Sequence, residues 1–328
     1  MPVENDAQNP DVSIVIPVFN EYDNLHDLVG QVEAAMAQSG VAWELICVDD
    51  GSRDGSDRRL AELAETRPWL RPLFLNRNYG QSTAMQAGFD AARGATLITL
   101  DGDLQNDPAD IPRLLKELDA RPEIDILSGW RKDRQDKTVS RKIPSMLANR
   151  MISKVTGVHL HDYGCSLKLY RREALRHVKI YGELHRFIPA LAGQFGARVM
   201  ELPVNHRART RGKSKYGIDR TIRVLLDLLW VKFMLRFLHR PMHAFGGAGA
   251  VMLLVGFLIL LVLSFEKLFL GQDIGGRPLL LLGVMLSLMG VQFLGMGLIG
   301  EMLTRIYHEP GGGQQYVLRE APRADGKS

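Results

Sequence analysis

Short apolar runs alternate with amphipathic stretches through the N-terminal part of the chain. Val12 to Pro17 is largely apolar and β-branched, the pattern of a buried parallel strand. Asn24 to Gln38 places Leu25, Leu28, Val29, Val32 and Ala35 at helical spacing. Trp43 to Val48 is a second strand ending at Asp49-Asp50-Gly51-Ser52, and a helix follows through Glu65. Arg71 to Leu75, Ala95 to Leu100 and Ile124 to Ser128 predict three more strands. Helices over Gln81 to Arg93 and Pro108 to Ala120 separate them. Alternation of this regularity predicts an α/β domain whose parallel sheet is covered on both faces. Three polar clusters fall at predicted strand ends: Asn20-Glu21, Asp49-Asp50, and Asp101 with Asp103. In an open α/β sheet such ends share one rim, where ligands bind.

The pattern changes from about Pro241 onward. Ala244 to Phe265 carries no charge, and neither does Leu279 to Gly300. At about 1.5 Å per residue each covers about 33 Å, enough to cross a hydrocarbon core of about 30 Å. The short linker Glu266 to Pro278 predicts a helical hairpin with both ends on one side. Lys232, Arg236, Arg240 and Arg305 flank the outer ends, against Lys267 and Arg277 in the linker. That bias places the N-terminal domain and both termini in the cytoplasm, at the inner membrane. Gly246, Gly247, Gly249, Gly256, Gly295 and Gly297 offer small faces for helix contact. Two further stretches, Ile143 to Val155 and Ile218 to Leu238, set basic residues beside an apolar stripe, as interfacial helices do.

Composition narrows this picture little. The chain has 328 residues, room for roughly two domains of about 150 residues. A net charge of +4 does not call for nucleic acid. Cys47 and Cys165 are too few for a disulfide framework, so reduced thiols are expected. Residues 1–11 are polar, with no apolar core of a signal peptide. The one Gly-x-Gly-x-x-Gly match, Gly295 to Gly300, lies inside a charge-free stretch and follows no strand; Walker patterns are absent, and the histidines lack metal-ligand spacing.

The chemistry concentrates at Leu97-Ile-Thr-Leu-Asp101-Gly102-Asp103. Two carboxylates at a strand end can hold a hard divalent cation through oxygen, leaving positions for water and phosphate. The same residues also suit an ordinary turn. Asp49 and Asp50 could likewise cap the helix that follows, and Arg131 to Lys142 could be a solvated basic face.

Taken together, the motifs resemble a known family. Val12-Ser-Ile-Val-Ile-Pro17-Val-Phe19-Asn20-Glu21, Val48-Asp49-Asp50-Gly51-Ser52-x-Asp54 and Asp101-x-Asp103 look like family 2 glycosyltransferases of the GT-A fold. Asn76 to Gln81, Asp103-Leu104-Gln105-Asn106-x-Pro108, Asp162-Tyr163-Gly164-Cys165 and Arg209-x-x-Gly212-x-Ser214-Lys215 narrow the likeness. They are similar to polyprenyl-phosphate glycosyltransferases, among them dolichyl-phosphate mannose synthases and bactoprenol glucosyltransferases. They are most similar to the undecaprenyl-phosphate transferases of formamido-arabinose.

The resemblance implies a division of the chain. A flexible start (1–11) precedes the glycosyltransferase domain (12–216), an interfacial region (217–242), the two spans (243–305) and a tail (306–328). It implies roles residue by residue. Pro17, Phe19 and Glu21 line the base and ribose pocket, and Asp50 meets the base. Asp101 and Asp103 serve ribose and metal, Mg²⁺ or Mn²⁺, with Asp103 the more direct ligand. Gln105 lies beside the diphosphate. Arg131, Arg141 and Ser145 receive the lipid phosphate. Asp162 is the catalytic carboxylate, and Arg209 grips the donor diphosphate from a loop. The implied reaction is inverting transfer of one sugar from a nucleotide sugar, UDP-linked before GDP-linked, to a polyprenyl phosphate. Two alternatives stand beside it. A processive polysaccharide synthase shares the fold, but its Gln-x-x-Arg-Trp motif is missing. A non-catalytic nucleotide-sugar sensor or scaffold would not need the full Asp101, Asp103, Asp162 and Arg209 set. After Gly311-Gly312-Gly313, the run Gln315 to Glu320 reads as an edge strand. With the family likeness it implies a homo-oligomer, a tetramer.

Overall fold

The computed structural model describes residues 9–132, 153, 157–180, 182, 184–207 and 241–308. They form two compact units, one up to residue 207 and one over 241–308. The first unit runs β1 (Val12–Val18), α1 (Tyr22–Ala37), β2 (Trp43–Asp49), α2 (Ser56–Glu65), β3 (Leu70–Phe74), α3 (Gln81–Ala91) and β4 (Thr96–Thr99). A short 3-10 turn (Pro108–Asp110), α4 (Ile111–Asp119), β5 (Ile126–Trp130), β6 (Lys168–Arg171) and α5 (Arg172–Leu175) follow. A second 3-10 turn (Leu184–Phe187), α6 (Ile188–Gln194) and β7 (Val199–Pro203) complete it.

Seven strands make one sheet in the order β3-β2-β1-β4-β6-β5-β7. The expectation of a purely parallel sheet is corrected. β1 to β4 are parallel, but β6 enters between β4 and β5 antiparallel to both. Lys168-Leu-Tyr-Arg171 is too short, and too charged at its ends, to show a strand period. α1 buries Leu25, Leu28, Val29 and Val32, the stripe that its spacing predicts, against Ile14, Ile16 and Leu45 of the sheet. A buried leucine such as Leu28 is worth about 3 kcal/mol against alanine. Both cysteines are buried thiols, and burial pushes Cys47 up to about 12.

The amino ends of β1 to β3 are tied by one carboxylate. Glu44, buried at 2% exposure, accepts from Ser13 Oγ at 2.6 Å, from the Arg93 amide at 2.8 Å and from Arg93 Nη2 at 3.0 Å. Arg71 completes the cluster. Burial alone would raise the Glu44 pKa, but these donors outweigh it and the net shift is downward.

The second unit is an antiparallel pair, α7 (Pro241–Leu270) and α8 (Pro278–His308), each long and apolar enough to cross a membrane. α7 continues past the expected Phe265 because nothing stops a helix before Gly271, whose φ is +64°. Pro278 opens α8, where its missing N–H costs nothing. The helices meet through small residues. A Cβ on Gly249 would lie 2.8 Å from the Gly290 carbonyl, and one on Gly256 2.5 Å from Ser287 Oγ. A Cβ on Gly247 or Gly295, expected to join that face, would meet nothing of the other helix within 4 Å. In the linker, Arg277 pairs with Glu266 at 2.5 Å.

Candidate active site

The carboxyl ends of β1, β2 and β4 carry the acidic rim. Asp50 follows β2 and is 3% exposed. Its carboxylate accepts the amides of Tyr79 at 2.7 Å and Gly80 at 2.9 Å, so it holds the turn that opens α3. Gly51 is indispensable beside it: φ is +69°, and a Cβ would meet Arg77 C at 2.5 Å. From the start of α3, Gln81 Nε2 donates to Asp101 Oδ1 at 2.8 Å. The turn therefore bridges the ends of β2 and β4.

Asp103 is folded back onto its own loop. The Gln105 amide donates to Oδ1 at 3.2 Å, and Gln105 Nε2 to Oδ2 at 2.5 Å. Leu104 between them has φ +61°, a left-handed conformation that costs a leucine about 1–2 kcal/mol. Such strain collects at functional sites. Gly102 faces Pro17 and Glu21, and its site leaves ordinary contact distance for a Cβ, 3.5 Å to Pro17 O. The loops after β1 and β4 thus meet.

Burial first, and neighbouring carboxylates second, work against ionisation on this rim. Burial raises the Asp50 pKa, the amides lower it, and the Asp49 charge raises it further, for a net upward shift. Asp101 is also shifted upward, by burial first and by the Asp103 charge second. Ser166, Arg131 and Lys168 offset only part. Among the described residues no cluster of three or more acidic, His or Cys side chains could hold a metal ion. Two carboxylates suit a hard cation whose remaining positions go to water and phosphate oxygen. Asp101 and Asp103 fit that role.

Arg131 and Asp162, assigned separate roles by the family resemblance, form one ion pair. Nε donates to Oδ2 at 2.7 Å and Nη2 to Oδ1 at 3.0 Å. Burial would lower the Arg131 pKa, but the hydrogen bond and charge of Asp162 outweigh it and hold the guanidinium ionised. Trp130 stacks on His161 at 4.5 Å, and the Lys132 ammonium lies 5.8 Å from the Trp130 ring centroid. The segment leading toward Arg209 is anchored to the Asp103 loop. The Arg207 amide donates to Gln105 O at 2.8 Å, and its guanidinium pairs with Asp107 at 2.6 Å.

The structure thus gathers Asp50, Asp101, Asp103 and Gln105 through shared loops, with Pro17 and Glu21 against Gly102 and Phe19 next along the chain. Arg141, Ser145 and Arg209 lie outside the described residues, as do both expected interfacial helices and the tail strand. Sequence reasoning assigned no role to Gln81, Lys168 or Glu201. Gln81 closes a quoted motif; Lys168 and Glu201 carry no local signal.

A seven-stranded mixed sheet with an acidic carboxyl rim is the architecture of the GT-A class of sugar-transferring enzymes. The chain belongs to the glycosyl transferase family 2, whose model matches residues 13–179, and it is a glycosyltransferase. It is 49% identical to a dodecaprenyl-phosphate galacturonate synthase of Rhizobium johnstonii, over 96% of this chain and 94% of that one. It is 39% identical to an undecaprenyl-phosphate 4-deoxy-4-formamido-L-arabinose transferase of Edwardsiella ictaluri, over 96% and 95%. Among solved structures, glucosyl-3-phosphoglycerate synthase from Mycobacterium tuberculosis, crystallised with Mn²⁺, UDP and phosphoglyceric acid, shares the fold. Its TM-score is 0.54 at 17% identity, covering 68% of this chain and 78% of that one.

Proposed function

We propose that the protein transfers one sugar from a nucleotide sugar to a polyprenyl phosphate at the cytoplasmic membrane face. The observation that carries this is the half-buried Asp101–Asp103 pair at the end of β4, in a chain whose near full-length relatives are named for polyprenyl-phosphate sugar transfer. A polyprenyl phosphate is already an anion and needs little help from a base. Its difficulty is approaching a second anion, the donor diphosphate.

The residues divide that task. Asp101 and Asp103 would hold Mg²⁺ or Mn²⁺, which when bound neutralises the leaving diphosphate. Arg131 brings a planar, permanently charged donor to the acceptor phosphate. Asp162 fixes that guanidinium through two hydrogen bonds. Its carboxylate is engaged by Arg131 in the resting site, which supports an orienting role over that of a general base. Arg209, Arg141 and Ser145 complete the anion contacts by family likeness. An acceptor oxygen attacks the anomeric carbon, the bond to the diphosphate breaks, and the nucleoside diphosphate leaves with inversion. Catalysis is then mostly positioning and charge stabilisation. The hairpin of α7 and α8 supports attachment where the lipid resides. With Arg277 paired to Glu266, the charge bias favours both termini in the cytoplasm.

UDP is the favoured carrier, and galacturonate and formamido-arabinose are the first sugars to try, from the relatives' names. The test is transfer from labelled UDP- and GDP-sugars to undecaprenyl phosphate with Mg²⁺ or Mn²⁺. Metal-dependent label in the lipid phase, absent in Asp103→Ala, is expected. Nucleotide binding without transfer from any donor would favour a sensor or scaffold.

A further inference from the structure

Four polar residues line up across the sheet beside the Asp162 turn. Strand pairing sets Thr99 opposite Lys168, Lys168 opposite Ser128, and Ser128 opposite Glu201. Cross-strand partners share a face of the sheet. Thr99, Lys168 and Ser128 are buried, and the Glu201 side chain is 9% exposed. Burying such a row is costly unless its groups are bonded.

Three of the four bond a single segment, residues 161–166. Thr99 Oγ1 donates to Ser166 O at 2.6 Å. Lys168 Nζ donates to the carbonyls of Tyr163, at 3.2 Å, and Cys165. Glu201 Oε1 accepts the Asp162 amide at 2.9 Å. Its Oε2 accepts the His161 amide at 2.9 Å and lies 2.8 Å from His161 Nδ1. Ser128 Oγ alone has no hydrogen-bond partner among the described residues.

We propose that Thr99, Lys168 and Glu201 of this row form a seat for the turn that presents Asp162, and that Glu201 is a positioning residue for sugar transfer. The inference rests on the transfer reading above. Glu201 acts on the backbone of the residue whose carboxylate orients Arg131. A carboxylate gripping two amides is a charge-assisted contact. Releasing it lets Asp162 drift, and a shift of about 1 Å at a reacting centre can cost about 100-fold in rate. Glu201→Gln retains the size but sets an amide N–H₂ against a backbone N–H.

The experiment measures steady-state transfer by the full-length enzyme to undecaprenyl phosphate, using the donor that the labelled panel identifies. Glu201→Gln is expected to lower kcat about tenfold or more, with donor KM within about twofold of wild type. Thr99→Val, nearly isosteric, should lower kcat about threefold and serves if Glu201→Gln does not fold. Ser128→Ala, which loses no bond to the turn, should stay within about twofold. An unchanged kcat in Glu201→Gln or, where that variant does not fold, in Thr99→Val overturns the proposal. So does a rise in donor KM that parallels a loss of melting temperature, the mark of a merely structural role. No turnover by the wild-type enzyme from any donor overturns the transfer reading, and this inference with it.

Discussion

The two ends of the sheet solve opposite electrostatic problems. At the amino ends of β1 to β3, one carboxylate, Glu44, meets a hydroxyl, a backbone amide and two guanidinium groups. Its pKa falls, and the cluster needs nothing from outside. At the carboxyl ends, Asp49, Asp50, Asp101 and Asp103 crowd together, and the pKa values of Asp50 and Asp101 rise. A rim closed in charge ties strands together. A rim where burial and neighbouring carboxylates disfavour ionisation can take a cation. The difference separates a staple from a site within one sheet.

The largest effect should come from the open rim. Asp103→Ala should abolish transfer to the level of about one part in a thousand, measured as label in the lipid phase. Asp101→Asn should also cut transfer at least about 100-fold. Its stability should move the other way. Asp101 is disfavoured in its ionised form, so removing the charge should hold or raise the metal-free unfolding free energy, by up to about 1 kcal/mol, read as an unchanged or higher melting temperature. A fall in stability would break the contrast between the ends.

Glu44→Gln should show the reverse pattern. Broken buried pairs cost about 3–5 kcal/mol, and the half-exposed arginines reduce that here to about 2 kcal/mol. Transfer per folded molecule should remain near wild type. Because the folded Glu44 pKa is depressed, its contribution is present above the unfolded value of about 4.3 and is lost as pH falls through the folded value. Thermal melts stepped down from pH 7 until the difference between wild type and Glu44→Gln stops changing would follow the loss.

Divalent cation should sharpen the comparison further. Protons compete with metal at Asp101, whose pKa is raised. The melting-temperature gain on adding Mn²⁺ should therefore shrink as pH falls toward that raised value, and should vanish in Asp103→Ala. A pH-independent gain would place the ion elsewhere. The smallest effects distinguish two glycines of the open rim. Gly51→Ala, at φ +69° against backbone, should cost about 1–3 kcal/mol. Gly102→Ala, with contact-distance room, should cost less than about 1 kcal/mol.

Much of the molecule was legible from residue patterns because those patterns are local. Apolar runs located β1 to β5 and the helices between them. The charge-free stretches located α7 and α8. The rim was marked by three polar clusters at strand ends, Asn20-Glu21, Asp49-Asp50 and Asp101 with Asp103, more than by any one of them. The GT-A fold and family likewise followed from motifs that are short and contiguous. β6 was not legible, because four residues with charged ends have no period to detect.

What the tertiary structure alone decided depends on pairing between distant segments. Asp162 and Arg131 are separated by 31 positions, and only folding makes them one ion pair. Thr99, Ser128, Lys168 and Glu201 each look like isolated polar positions of short strands. Their alignment requires β6 to enter between β4 and β5 in one register, which no local periodicity encodes. Sequence determines which face a residue takes within its own element. Register and strand order determine which residues it meets, and there the charge balance of each end of the sheet was set.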